Sequence, residues 1–258
     1  MNIILFLLIF LIIIMYIIIT DKICNTVLKY YIYDSKVPGN TILLIGGTHG
    51  NEPAGSVCIK EFQNELNNKN INLKTGKLIL IPEVNYCALR LGIRFMPFIG
   101  DMNRKYPCSH NEKCNNKIIN EIINLSMHAD FIIDFHEGWG FNRLNKKSMG
   151  STITPTDTEK SLKISQKVLK ELNKNIEDKQ KKFIILTNNI LSDEEEDYDY
   201  DYNESIDIEG TLRNFMNMNK KNYILVETTG QDDIQPLPIR TNQNKIIINT
   251  ILKEYNII

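Results

Sequence analysis

The chain has 258 residues, of which 43% are hydrophobic and 24% charged, and 30 Lys+Arg against 31 Asp+Glu give a formal charge of -1. That length and apolar content suffice for one domain with a sizeable core, and they exclude a wholly disordered chain, a collagen-like repeat and a strongly basic nucleic-acid binder. The near-neutral charge is a cancellation. Ten of the acidic residues and no Lys or Arg fall in Asp193–Glu209, so the rest of the chain carries +9.

Asn2–Thr20 holds no Asp, Glu, Lys, Arg or His. As a helix it would run about 28 Å, close to a bilayer core, and it lacks the basic leader and small-residue cleavage site of a secretory signal. The expected organisation is a transmembrane anchor over 1–20, a linker leading into the domain over 21–40, and a single folded body over 41–258 with an acidic loop at 193–209. Lys22, Lys29 and Lys36 follow the span and no Lys or Arg precedes it, which favours a body on the cytoplasmic side. Five cysteines are too few for a disulfide scaffold. Cys108 and Cys114 could pair, whereas Cys58 and Cys87 read as packing residues. Asn124-Leu-Ser and Asn203-Glu-Ser are formal glycosylation triplets.

In chain order, Thr41–Ile45 reads as a buried strand ending at Gly46-Gly47, 54–68 as a helix and Lys77–Pro82 as a strand stopped by its proline. A helix at 116–127 precedes the strand Phe131–Phe135. Then come a helix at 157–173, a strand at Phe183–Leu186, a helix at 210–218, a strand at Tyr223–Val226 and a closing helix at 239–255. This alternation predicts a single α/β domain, a mixed and mostly parallel sheet flanked by helices.

Four segments carry chemistry. In Gly46-Gly-Thr-His49-Gly-Asn-Glu52-Pro a strand runs into a turn, and His49 and Glu52, three residues apart, are close enough to meet one zinc ion. By themselves they also fit an exposed loop. Asp134-Phe-His136 places a second histidine where a strand breaks, the position at which open α/β sheets assemble sites. Together they make a two-His, one-carboxylate set with room for a water, and Asp134 either orients a ligand or faces away. His110 and His128 lie outside comparable frames, and Cys108, His110 and Cys114 are too loosely spaced for a competing site. Asp101-Met-Asn103-Arg104 offers a guanidinium fork and an amide suited to a carboxylate. Arg94, with Arg90 as substitute, is a candidate donor to developing carbonyl charge. Glu227, ending the strand that begins at Tyr223, can exchange a proton with a metal-bound water or be an ordinary surface glutamate. No Walker pattern follows Gly46-Gly47.

In this order the motifs resemble the zinc carboxypeptidase superfamily, and within it the succinylglutamate desuccinylase/aspartoacylase branch. The resemblance covers about residues 41 to 255. It implies one zinc ion on His49, Glu52 and His136, Glu227 as general base and acid, Asn103 and Arg104 gripping a substrate carboxylate, and Arg94 near the scissile carbonyl. The implied activity is hydrolysis of an amide, or of an ester, in a small carboxylate-bearing substrate. Met102 departs from the usual leucine of the third motif, and the sequence leaves no room for the C-terminal β-domain that narrows the pocket in aspartoacylase-like enzymes. A more open cleft is implied, which makes carboxypeptidase action on short peptides the alternative. A membrane-tethered binding protein without turnover is the rival class. Tyr202 is a candidate for the substrate-binding tyrosine of related carboxypeptidases, and Tyr198 and Tyr200 could also reach a ligand.

Overall fold

The computed structural model describes residues 3–24, 27–96, 98–109, 114–187, 200–201, 208–231 and 234–258. His110, Tyr198, Tyr202, Asn203 and most of the acidic segment lie outside the described residues.

An eight-stranded sheet has the order β1-β3-β2-β4-β8-β5-β6-β7. Its strands are β1 (Tyr31–Asp34), β2 (Thr41–Gly46), β3 (Lys77–Ile81), β4 (Phe131–Trp139), β5 (Thr152–Pro155), β6 (Ile184–Leu186), β7 (Tyr200–Asp201) and β8 (Tyr223–Gln231). The pairs β2/β3, β2/β4, β4/β8, β5/β6 and β6/β7 are parallel, while β1/β3 and β5/β8 are antiparallel. The expected mixed, mostly parallel sheet is therefore the observed one. The helices are α1 (Ile3–Cys24), α2 (Pro53–Asn67), α3 (Tyr86–Leu91), α4 (Lys117–His128), α5 (Glu159–Asn173), α6 (Leu212–Met218) and α7 (Leu237–Glu254).

The two faces of the sheet follow from the period-2 alternation of strand side chains. Ile42, Leu44, Phe131, Ile133, Phe135, Ile224 and Val226 point to one face, where Ile59 and Phe62 of α2, Val168 and Leu172 of α5, and Ile247 and Ile251 of α7 cover them. Leu43, Ile45, Ile132 and Tyr223 point to the other, under Ile118 and Ile122 of α4 and Leu212 and Met216 of α6. The central strands are thus buried on both sides, which is why they read as nearly continuous apolar runs.

Three expectations change. Residues 31–34, expected to be linker, add an antiparallel edge strand, with Ile32 opposite Ile79. No disulfide joins Cys108 and Cys114. Both carry thiols, and Cys114 Sγ lies 3.5 Å from the carbonyl oxygen of Lys105. Cys87, expected to be a packing residue, is disulfide-bonded, whereas Cys58 is buried as expected.

The transmembrane segment expected over 1–20 corresponds to the 22-residue α1. Its side chains are described only for residues 5–15, all of them exposed. Among the described residues no helix is long and apolar enough to cross a membrane.

Candidate metal centre and cleft

The site forms at the carboxyl ends of β2, β4 and β8. After β2 the chain turns at Gly47, whose φ of +70° is a left-handed conformation open to glycine, and His49 and Glu52 follow before Pro53 starts α2. The parallel pairing of β2 with β4 sets Gly46 beside Phe135, and that of β4 with β8 sets His136 beside Glu227. Because side chains alternate, Asp134, His136 and Glu227 share one face of the sheet, and Glu137 points to the other.

The expected ligands meet. His49 Nδ1 lies 2.8 Å from Glu52 Oε1, His136 Nδ1 lies 2.9 Å from Glu52 Oε2, and the two Nδ1 atoms are 3.2 Å apart. All three side chains are buried, and one donor atom from each falls within 4.8 Å of the others, the one such cluster among the described residues. Donors about 2.0–2.2 Å from a tetrahedral zinc stand a little over 3 Å from one another, so this spacing fits the ion. Carboxylates stand behind the other ring nitrogens, one within hydrogen-bond reach and one at ion-pair distance. His49 Nε2 is 3.0 Å from Asp101 Oδ1, and His136 Nε2 is 3.4 Å from Asp134 Oδ2, whose oxygen also accepts the Tyr223 hydroxyl at 2.9 Å. A carboxylate behind each imidazole fixes its orientation and leaves Nδ1 directed at the metal position, the usual surroundings of a metal-ligating histidine.

These contacts set the charge states. Burial works against ionised Glu52, but hydrogen bonds from His136 and His49 outweigh it and bring the carboxyl down to about 2. Burial also disfavours the His136 imidazolium, yet Asp134 and then Glu52 outweigh it and hold the ring well above its ordinary range. Asp101 is likewise opposed by burial and held below the usual carboxylate range by His49 and Arg94. Glu227, partly exposed to the cleft, goes the other way. Desolvation pushes it up to about 8, with Glu52 and Asp134 adding to the rise and His136 and Arg94 opposing it.

A cavity of about 250 Å³ opens over the cluster, lined by His49, Glu52, Arg94, Asn103, Arg104, His136 and Glu227 among others. Arg94 donates from Nη1 to Glu52 Oε1 at 2.9 Å and from Nη2 to Asp101 Oδ2 at 3.3 Å, so it stands at the ligand set itself. Asn103 is buried in a single 3-10 turn capped by Asp101. Its Oδ1 accepts the Leu212 amide at 3.0 Å, at the start of α6, and Arg104 Nη1 donates to the Asn103 carbonyl at 2.6 Å. Arg90 is held over the Tyr86 ring, 5.3 Å from its centroid, and does not line the cavity. His128 is bound to the Asn124 carbonyl on its own helix.

The sequence reading did not assign roles to Asp101, Glu137, Arg213 or Tyr223. Arg213 lines the same cavity, its guanidinium donating to the Pro155 carbonyl at 2.8 and 3.1 Å. Trp139, Met149, Ile208 and Leu225 give the cavity an apolar wall and Lys147 another cation. Only Glu137 had a usable sequence signal, since strand alternation next to His136 sends it to the opposite face. A larger groove of about 820 Å³ between α5 and the end of α7 holds ordinary ion pairs such as Lys167–Glu254 at 2.5 Å and no clustered ligand set.

Residues 38–147 match the succinylglutamate desuccinylase/aspartoacylase catalytic domain. The chain is 28% identical over 102 residues to an N-alpha-acetyl-L-2,4-diaminobutyric acid deacetylase of Halomonas elongata, covering 39% of this chain and 29% of that protein. Its fold is similar to that of the cell shape determinant protein Csd4 of Helicobacter pylori, with a TM-score of 0.68 at 19% identity over 89% of this chain and 55% of that one. It is also similar to the ectoine utilization protein EutE (DoeB) of Ruegeria pomeroyi, with a TM-score of 0.58 at 20% identity over 90% and 62%. The chain thus spans less than two thirds of each of these proteins. The motifs in order, the catalytic-domain match over them and the shared sheet together make the chain similar to the succinylglutamate desuccinylase/aspartoacylase branch of the zinc carboxypeptidase-like proteins.

Proposed function

We propose that this chain is a zinc-dependent hydrolase that cleaves an amide, or an ester, in a small carboxylate-bearing substrate. The observation that carries the reading is the convergence of His49 Nδ1, Glu52 and His136 Nδ1, each imidazole backed by a carboxylate, beside a protonatable Glu227 on the next strand. When bound, zinc supplies Lewis acidity toward a carbonyl oxygen and acidifies a water. The protein residues do the rest. Glu227 takes the proton of the attacking water and returns it to the departing amine or alcohol. Arg94 turns part of its hydrogen bonding from Glu52 toward the developing oxyanion. Arg104 and the Asn103 amide hold the substrate carboxylate, and Arg213 and Lys147 add positive charge to the cleft walls.

The test is metal analysis of the purified full chain, followed by incubation with N-acyl amino acids, small esters and short peptides and identification of products by mass. Near-stoichiometric zinc and release of an acyl group are expected. A chain that takes up no zinc on reconstitution would sink the reading. A second reading, carboxypeptidase action on short peptides, is supported by the fold shared with Csd4, described as a D,L-carboxypeptidase in its mDAP-bound form. Release of a C-terminal residue in preference to deacylation would select it, and zinc uptake without any turnover would select a binding protein.

The membrane association proposed for α1 rests on its exposed apolar side chains, Leu5 to Met15, a face that water does not favour. The lysines after the span argue for a cytoplasmic body. The disulfide at Cys87 argues instead for an oxidising compartment. Protease protection in sealed vesicles decides between the two sides.

A further inference from the structure

Glu137 is a buried carboxylate beside the site that the proposed reaction does not use. Strand alternation turns it away from His136 and toward the face covered by α2 and α7. There its Oε1 accepts the Ala54 amide at 2.5 Å, and its Oε2 pairs with Arg240 of α7. Its own backbone N–H donates to Glu52 Oε2 at 3.2 Å. The carboxylate is therefore tied to the start of α2, and its backbone to the candidate metal ligand immediately before that helix.

The reason such a tie is needed lies in α2. Glu52 occupies its N-cap position but makes no side-chain cap bond, because its carboxylate is drawn into the histidine cluster. Pro53 follows, so Ala54 carries the first amide of the helix, and an N-terminal amide buried without an acceptor is unfavourable. Glu137 supplies that acceptor from another strand, with a negative charge on the favourable end of the helix dipole. Arg240 balances the charge. The β8 strand leaves room for the pair only by having glycine at 230, since a Cβ there would overlap both Glu137 Oε2 and Arg240 Nη1.

We propose that Glu137, held by Arg240, is a positioning residue of the metal site: it caps α2 in place of Glu52 and so leaves the Glu52 carboxylate to the metal. The inference rests on the zinc reading above. It is tested on the full chain by chelator competition for zinc affinity and by amide exchange of the 48–60 segment in the metal-free protein. Glu137→Ala is expected to weaken zinc binding about 10- to 100-fold, the usual effect of losing a group behind a metal ligand, and to speed exchange at the start of α2. At saturating zinc, kcat should fall while KM holds, because Asn103 and Arg104 sit on a different segment.

Gly230→Ala, which displaces the pair without touching either member, should reproduce the loss. Arg240→Lys, which keeps the charge, should restore affinity to within about threefold of wild type. If Glu137→Ala does not fold, Glu137→Gln keeps an acceptor for Ala54 and removes only the charge, and it should still bind zinc more weakly than wild type. Variants that melt earlier but bind zinc as tightly as wild type, with unchanged exchange at α2, overturn the inference. A wild-type chain that binds no zinc overturns the zinc reading, and this inference with it.

Discussion

The histidines of this site are held from behind. Asp101 reaches His49 and Asp134 reaches His136, and each fixes which ring nitrogen is offered forward. Asp134→Asn and Asp101→Asn are expected to weaken zinc about 10- to 100-fold, measured by competition with a chromogenic chelator. Glu227→Gln should leave zinc stoichiometry intact and lower kcat by about 10²- to 10⁴-fold, the range for a lost general acid-base. A variant that keeps wild-type turnover would remove Glu227 from the mechanism. His49, Glu52, His136 and Glu227 were legible as candidates because each follows a hydrophobic run, although β4 continues past His136 to Trp139 and β8 past Glu227 to Gln231, so neither strand breaks where the sequence suggested. The contact between His49 and Asp101 was not, since it joins positions 52 residues apart through a loop whose path no local pattern specifies.

Among the elements, the register of β4 on β8 does the assembling. Pairing His136 with Glu227 puts them on one face about 5 Å apart, and a slip of one residue would turn Glu227 to the opposite face. The helix α2 carries the load on the other side. Phe62 is fully buried against the sheet, and Phe62→Ala should cost about 3–5 kcal/mol by denaturant unfolding. In α5, Thr158 caps the helix by accepting the Ser161 amide at 3.2 Å, and Thr158→Ala should cost about 1 kcal/mol.

The amphipathic helices and the strands β2 and β3 were readable within a residue or two, whereas β4 and β8 run four and five residues beyond the apolar runs that announced them, because their later polar residues face the site and its surroundings. Short elements escaped: β1 and β5 have four residues each and α3 six, too few for periodicity to stand out. β5 reads Thr-Ile-Thr-Pro, and its threonines belong to a strand only because β8 and β6 flank it.

For the whole molecule, the charge states of the cluster predict how pH acts on the metal-free protein. The Glu52 carboxyl lies at about 2 when folded, against an ordinary 4.5, so its stabilisation is present above 4.5 and is lost as pH falls toward 2. Glu227 lies at about 8, so stability declines as pH rises from 4.5 to 8, where the unfolded chain releases a proton that the folded one keeps. His136, held protonated, adds a loss in the same direction as pH passes its ordinary range. The melting temperature of the metal-free chain should therefore be highest in mildly acidic solution. The rise in melting temperature on adding zinc should grow from pH 5 to 8. Calorimetry across that range checks both, and a flat metal-free profile would contradict the charge assignment.

By itself, the sequence determined the alternation of elements, the apolar faces of the central strands and the identity of the chemical side chains, because periodicity and strand-end chemistry are local properties. Only the tertiary structure decided which carboxylate stands behind which histidine, that Arg94 leans on the ligand set, and that Glu137 caps a helix whose own cap residue is occupied elsewhere. Those are contacts between segments distant in the chain. They are set by sheet order and register, which depend on the free energy of packing the whole domain.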